Sequence, residues 1–481
     1  MTDELAFLDA TAQADLVRRR DISPLELVEA AITRVEKLNP ELNAVIHPLF
    51  EQARTATRSD LPQGPFRGVP MVVKDLDGTL AGAPYHAGNR LLAELGYVPE
   101  TTSHLFEKLL GAGFVFIGKT NTPELGLMPT TEPLAKGPTR NPWHTERSTG
   151  GSSGGSSAAV ASGMVPVGHA GDGGGSIRIP ASHCGLFGLK PSRGRVSLGP
   201  EEGGAWAGLV MRHVVSRSVR DSAAILDVIE GPMTGDPYTA PPPSRPYREE
   251  VGVNPGRLRV GLRTHTAAAM GETDPECVAA AEDTARVLES LGHSVEVASP
   301  AALDDENLME RFMAVFMSSV RAGLDELALL AGRDVRPEDV EPTTWMYASM
   351  AADVSGAQYV AAVHTAQVWT RHVASWWADD GFDLLLTPTC AEPPPVLGDL
   401  VSPDDNPLHG ALRATPFAAY TAPFNVTGQP AMSVPLYFSA AGLPIGTQLV
   451  AAPYREDLLF RVAAQLEEAR PWADRRPTVH A

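Results

Sequence analysis

Residues 148–191, STGGSSGGSSAAVASGMVPVGHAGDGGGSIRIPASHCGLFGLKP, hold two clusters of glycine and serine separated by a short apolar run. Composition alone allows a flexible linker. A linker stays polar throughout, whereas AAVASGMVPV lies between these clusters and SIRIPASHCGLFGLKP follows the second. Apolar sequence around such clusters suits backbone held inside a folded domain, with glycine where φ is positive or where another group approaches closely. The stretch reads as a candidate catalytic site.

Outward from it, apolar runs and helical patterns alternate. GVPMVV (68–73) ends in Lys74-Asp75 and reads as a buried strand delivering polar groups at its end. A helix over 102–110 and a second buried strand over 114–117 follow. Nearer the N-terminus, Ser23, Pro24 and Glu26 predict a capped helix that Asn39-Pro40 stops, and NAVI (43–46) a short strand. After the Gly/Ser region, a helix starts at Ser218 or Asp221, and residues 231–256 form a proline-rich loop. LRVGLRT, DPECVAAAEDTARVLESLG and HSVEVA give β-α-β; residues 303–379 are largely helical; FDLLLTPT is a buried strand; a Pro/Asp-rich loop covers about 389–413. A strand pair and a final helix close the chain. No solenoid-length repeat is visible. The pattern predicts an α/β fold: a large mixed, twisted β-sheet core covered on both faces by α-helices.

The 481 residues carry 39 Lys+Arg against 58 Asp+Glu, a formal net charge of -19. That disfavours nucleic acid or an anionic membrane as partner and suits small neutral or cationic molecules. Cys184, Cys277 and Cys390 are scattered with no CxxC, against a disulfide framework or a cysteine zinc site. The first residues lack the basic start and apolar core of a signal peptide, and no apolar run approaches membrane-spanning length, so a cytoplasmic protein is expected.

Two motifs mislead. Residues 113–120, GFVFIGKT, match the phosphate-loop pattern, but the intervening FVFI is itself a strand where that motif needs a loop. Residues 150–154, GGSSG, match the nucleophile elbow, yet the preceding RNPWHTERST is polar and proline-broken. A Ser-His-Asp hydrolase would need a suitable His, and His364 and His372 fall in helical sequence, where they pack on that helix. No metal-ligating histidine pair is present. Cys184, in ASHCGLFG, reads as a packed thiol.

Lysine is scarce, with Lys37, Lys74, Lys108, Lys119, Lys136 and Lys190 the whole set. Lys119 and Lys190 adjoin turn residues and read as structural, which leaves Lys74 as the one most open to desolvation. Burial lowers a lysine pKa and makes it a base near neutrality. Pairing with Asp75 or another acid is the alternative, and the residues leave both open. The second cluster, GDGGGS (171–176), offers successive amides that can converge on a developing oxyanion, with Ser176 placed as nucleophile. Asp172 and Arg178 can pair to brace that loop.

GVPMVVKD (68–75), residues 150–194 and APFNVTGQPAMSVPL (422–436) together resemble the amidase signature family, the Ser-cisSer-Lys amide hydrolases, nearly end to end. The resemblance implies one amidase domain over 1–481, a signature core at about 65–230 and a variable, substrate-shaping helical region at about 300–420. It implies Ser176 as nucleophile, Ser152 as bridging serine, often after a cis peptide bond, and Lys74 as base, with an acyl-enzyme intermediate. The backbone N–H groups of Gly173, Gly174, Gly175 and Ser176 would form the oxyanion hole, without metal or other cofactor. One departure stands out: the family usually has threonine or another side chain at Gly173, so this loop is expected to be more mobile.

Within the family, ATAQADLVRRRDISPLELVEAAI and LPIGTQLVAAPYREDLLFRVAAQLEEA are most similar to the 6-aminohexanoate-cyclic-dimer hydrolase branch. That implies a small neutral amide as substrate, cyclic or linear aminohexanoate-type amides among them, with no nucleic acid, no membrane, and a homodimer left open. Aryl-acylamidase or carbamate and ester cleavage are the alternatives within the family. The amidase subunit of a tRNA-dependent amidotransferase, marked by co-purifying partners, is the alternative of another class. A non-catalytic binding protein on the same fold is a further one, which turnover of any aryl amide would exclude. Phe312, Phe316, Met317, Trp345 and Met346 are candidate pocket residues, with helix-core packing the reading favoured for most.

Overall fold

A computed structural model describes residues 2–305 and 308–481, with side chains from residue 4 onward outside 306–312. The alternating pattern of the buried strand at Lys74 explains its architecture. Successive strand residues face opposite sides: Met71 and Val73 enter one apolar cluster, and Val72 enters another. On the first face lie the helices His104–Gly111, Val219–Ile229 and Glu456–Ala469; on the second lie Pro24–Leu42, Gly154–Ala161 and Arg178–Cys184. The sheet is thus covered on both sides, as the alternation of elements predicts.

Among the described residues, eleven strands join in this sheet. Their order is Val45–Pro48, Val115–Thr120, Pro70–Lys74, Val167–Asp172, Met211–Ser216, Phe187–Lys190, Ala431–Phe438, Pro444–Ala451, Leu384–Pro388, Arg259–Leu262 and Ser294–Val297. Pro70–Lys74 runs parallel to both neighbours, pairing Lys74 with Thr120 and Val72 with Gly168. Lys74 and Asp172 therefore finish adjacent strands on the same edge. The carboxyl edge of parallel strands is where α/β sheets place their ligands.

The Gly/Ser stretch belongs to this core. Helix Gly154–Ala161 is buried along its whole length, because its small residues let it lie directly on the sheet. A Cβ on Gly155 would sit 2.5 Å from the Asn121 backbone nitrogen, so glycine here serves close packing.

Two local expectations are corrected. Pro40 does not stop its helix, which continues to Leu42 and ends at left-handed Asn43. Asn39 fixes the exit instead, its Oδ1 accepting from the Ala44 and Val45 amides and its Nδ2 donating to the Val45 carbonyl. The loop expected to reach residue 413 gives way earlier to helix Leu408–Ala418. Gly410 allows that helix to pass the Leu400 carbonyl, 2.4 Å from where a Cβ would stand, and Phe417 anchors it in the interior.

Candidate active site

The strand Pro70–Lys74 delivers Lys74 with none of its surface exposed. Its Nζ lies 2.8 Å from Ser152 Oγ and 2.5 Å from Asp77 Oδ2. Burial disfavours the ammonium and sets the Lys74 pKa below the ordinary lysine value, while Asp77 and Asp172 pull the other way. Burial alone would raise the Asp77 pKa, but Lys74 and Arg212 outweigh it and hold the carboxylate ionised.

Asp77, and not Asp75, is the acid on Lys74. Asp75 pairs with Lys119 Nζ at 2.6 Å and accepts the His86 amide at 3.0 Å. The sequence signal for Asp77 was present in the KDLDG run: an aspartate before glycine takes left-handed backbone readily, and Asp77 has φ 64°. Burial does not single out Lys74, because Lys119 and Lys190 are equally enclosed. Contact does. Lys119 meets Asp75 and the Pro84 carbonyl, Lys190 meets the Pro191 and Gln429 carbonyls, and neither touches a serine of the Gly/Ser stretch.

Ser152 follows Gly150 at φ 73° and a cis peptide bond between Gly151 and Ser152. A Cβ on Gly151 would fall 2.5 Å from the Thr130 carbonyl, and Thr131 Oγ donates to the Gly150 carbonyl and accepts from the Gly154 amide. This loop is stitched in place. Gly126 flanks Ser152 from the other side, at 3.3 Å between an added Cβ and Ser152 Oγ.

The second cluster leaves strand Val167–Asp172 and enters helix Arg178–Cys184. Asp172 and Arg178 pair inside the protein as expected, Oδ1 to Nη2 at 2.9 Å and Oδ2 to Nε at 3.0 Å. Asp172 also accepts the Ile177 amide, and Arg178 further donates to the Thr421 carbonyl, Gln448 and Asn425. Burial raises the Asp172 pKa, yet Arg178 outweighs it and leaves the value at about 2.

This pair fixes both ends of the Gly173–Ser176 run, and Thr421 fixes its middle by donating to the Gly174 carbonyl at 2.6 Å. Because a trans peptide points its N–H opposite its C=O, the Gly175 amide faces away from Thr421. Among the described residues, none of the amides of Gly173, Gly174, Gly175 and Ser176 donates a hydrogen bond to the protein. Ser176 is half-buried, as is Gly174 in the same run, and its hydroxyl has no protein partner among the described residues. The structure thus joins Lys74 to Ser152 directly and leaves the Ser176 hydroxyl free.

Other candidates fall away. Residues 115–120 are strand, so the phosphate-loop match is sheet. His364 and His372 do not pack on their helix; both are exposed. His183 lies beside Gly150, near the site, but burial pushes its pKa to about 3 and neither ring nitrogen is hydrogen-bonded. Cys184 is buried and its thiol pKa is pushed up by desolvation. His47, Asp75 and His86 bring ligand atoms within 4.8 Å of one another, but the Lys119 ammonium already takes the cation's place on Asp75.

Phe316 is buried in an apolar cluster with Tyr347 and Val340, against which Met317, Trp345 and Met346 pack partly buried. The same cluster takes in Leu76, Leu125 and Leu127, which flank Asp77 and Gly126. Helix-core packing therefore describes Phe316, and it also reaches the site. The Phe312 side chain lies outside the described residues. Sequence reasoning missed Trp206, Thr421 and Asn425 as neighbours of the glycine run; Asn425 donates to the Asp172 carbonyl at 2.8 Å.

An amidase family model matches residues 26–460. The 6-aminohexanoate-cyclic-dimer hydrolase of Paenarthrobacter ureafaciens is 46% identical over 476 residues, covering 98% of this chain and 96% of that protein. A solved structure of 6-aminohexanoate cyclic dimer hydrolase complexed with substrate superposes with a TM-score of 0.95 at 45% identity, over 99% of this chain and 100% of the other. A bacterial aryl acylamidase structure gives a TM-score of 0.86 at 27% identity, covering 98% of each chain.

Proposed function

The chain belongs to the amidase signature family and is an amide hydrolase, and from that premise we propose that Lys74, Ser152 and Ser176 are its base, relay and nucleophile. The observation that carries this is the 2.8 Å contact between buried Lys74 and Ser152, beside a run of unbonded amides ending in Ser176. Neutral Lys74 takes the proton of Ser152 as Ser152 takes that of Ser176, and Ser176 Oγ attacks the carbonyl carbon. The amides of Gly173, Gly174, Gly175 and Ser176 receive the oxyanion, each such donor worth about 3–4 kcal/mol in the transition state. The proton returns through the same relay to the leaving nitrogen, the C–N bond breaks, and water then releases the acyl group from Ser176.

The substrate class is small neutral amides, with cyclic and linear aminohexanoate-type amides first among them. The near-full-length 46% identity to a cyclic-dimer hydrolase supports that choice, as does the apolar cluster that reaches the site. Residues 300–420 shape the pocket in this reading. A cytoplasmic enzyme without nucleic-acid partner fits the net charge of -19; no helix among the described residues is long and apolar enough to cross a membrane.

The test is covalent. A fluorophosphonate should label Ser176, and Ser176→Ala should abolish both labelling and hydrolysis of a panel of cyclic and linear aminohexanoate amides, aryl acylamides and short aliphatic amides. A label mapped to Ser152 would overturn the assignment of roles.

A further inference from the structure

Gly173 opens the run of free amides, and its backbone does not require glycine. Its φ lies outside the left-handed region that Gly175 occupies at 141°. Space requires it. A Cβ on Gly173 would stand 2.9 Å from Trp206 Cζ3, 3.1 Å from Trp206 Cε3 and 3.2 Å from Val210 Cγ2. The edge of an indole ring fills the place of the missing side chain.

That ring is held firmly. Trp206 and Ala207 both adopt left-handed backbone, at φ 50° and 55°, which forms the tight turn that aims the indole at Gly173. Arg193 Nε secures the turn by donating to the Gly208 carbonyl at 2.6 Å. Beyond Gly173 the indole meets Phe316 edge to face, centroids 5.0 Å apart, and Phe316 meets Tyr347 in the same way at 5.0 Å. Such contacts favour one ring orientation. An aromatic chain therefore runs from the helices Leu308–Ala331 and Pro342–Met350 to the side-chain position of Gly173, the residue that opens the run. Trp206 itself remains half-buried, while Gly173 is buried against it. The glycine that suggests a mobile loop is clamped by an aromatic side chain.

We propose that Trp206 is a specificity-determining residue of the hydrolase, its indole replacing a side chain at Gly173 as the wall of the acyl-binding space. This rests on the reading of Ser176 and the neighbouring amides as the reacting centre. A flat apolar wall against the first oxyanion donor accepts an unbranched aliphatic acyl chain lying along it. It excludes acyl groups that are branched or carry a ring next to the carbonyl. Gly173 and Trp206 act as one unit, since a side chain at 173 needs the space the indole holds.

The experiment compares Gly173→Thr, Trp206→Ala, Trp206→Phe and the Gly173→Thr/Trp206→Ala pair with the unmodified enzyme. It measures kcat/KM for hexanoyl and benzoyl p-nitroanilides and the rate of fluorophosphonate labelling. Trp206→Ala should raise the benzoyl-to-hexanoyl ratio by at least about tenfold, with Trp206→Phe between, as expected when pocket volume sets the discrimination. Gly173→Thr should slow labelling by about 10²-fold through displacement of an oxyanion donor, and the double variant should recover most of that loss. An unchanged acyl ratio in both Trp206 variants would overturn the proposal. So would a double variant no faster than Gly173→Thr. If Ser176→Ala still labels and turns over substrate, the reading of the reacting centre fails, whatever the ratios.

Discussion

Asp77→Asn isolates the electrostatic role of the carboxylate on Lys74. Asparagine keeps nearly the same shape and accepts left-handed backbone, so the φ of 64° at this position is retained. The change removes the negative charge 2.5 Å from Lys74 Nζ while leaving an oxygen there to accept a hydrogen bond. A hydrogen bond to a charged partner contributes about 1.5–3 kcal/mol, which corresponds to about one to two pKa units at 1.36 kcal/mol each. The sign follows from which form Asp77 favours. The carboxylate stabilises the lysine ammonium and raises the Lys74 pKa against the burial that lowers it. Without it the neutral base persists to lower pH. In the unmodified enzyme kcat/KM should fall as pH drops and Lys74 gains a proton. In Asp77→Asn that acid limb should move down by about one to two pH units, while kcat at the plateau falls through poorer placement of the amine. The assay is a pH profile of kcat/KM on one aryl amide, with Lys74→Ala as the control that lacks the limb. An acid limb that stays put in Asp77→Asn, or moves to higher pH, would refute the role given to Asp77.

Two further perturbations separate geometry from charge. Gly175→Ala forces a side chain onto φ 141° and places its Cβ 2.4 Å from Thr421 Oγ1. Labelling by a fluorophosphonate should slow by about 10²–10³-fold, the cost of losing one oxyanion donor, while the chemical-denaturation midpoint moves far less. Glu341 concerns stability. Burial, with the Glu124 charge added, pushes its pKa from the ordinary 4.5 to about 8. A raised carboxyl pKa gives stability that is complete below pH 4.5 and lost as pH rises through 8. Denaturation midpoints should therefore drop between pH 6 and pH 9 by the equivalent of about 1 kcal/mol or more, and Glu341→Gln should flatten that decline; parallel curves for the two proteins would count against it.

Much of the fold was legible because the strands announce themselves. The run VPMVVK can only alternate its side chains between two apolar clusters if the sheet is covered on both faces, and it does so with Met71, Val72 and Val73. The misreadings came where local rules yield to packing. Pro40 lies close enough to the helix end that its missing amide does not break the helix, and Asn39 closes the exit through three hydrogen bonds. Leu408–Ala418 carries Gly410 and Pro416, both of which argue for a loop in sequence. Only the crossing at the Leu400 carbonyl explains why glycine suits the helix there.

The site was legible in type and incomplete in its connections. Glycine and serine clusters indicate where backbone is exposed or closely packed, and Lys74 could be named as a candidate base at a strand end, a position that Lys190 shares. Which acid it meets could not, because Asp75 and Asp77 both follow within three residues and the left-handed turn at Asp77, beyond the strand end, decides between them. Asp75 turns toward Lys119, whereas Asp77 curls back over Gly171, whose added Cβ would lie 2.2 Å from its carboxylate. The same limit applies at Gly173. A missing side chain reads as flexibility until the group that fills its place is known, and that group, Trp206, arrives from a turn with no motif of its own. Glycine in this protein therefore marks contacts made by others: Asn121 at Gly155, Asp77 at Gly171, Trp206 at Gly173 and Thr421 at Gly175. Each contact holds part of the Lys74–Ser152 and Ser176 framework, so the clusters that look most like slack chain are where the fold leaves least room for movement.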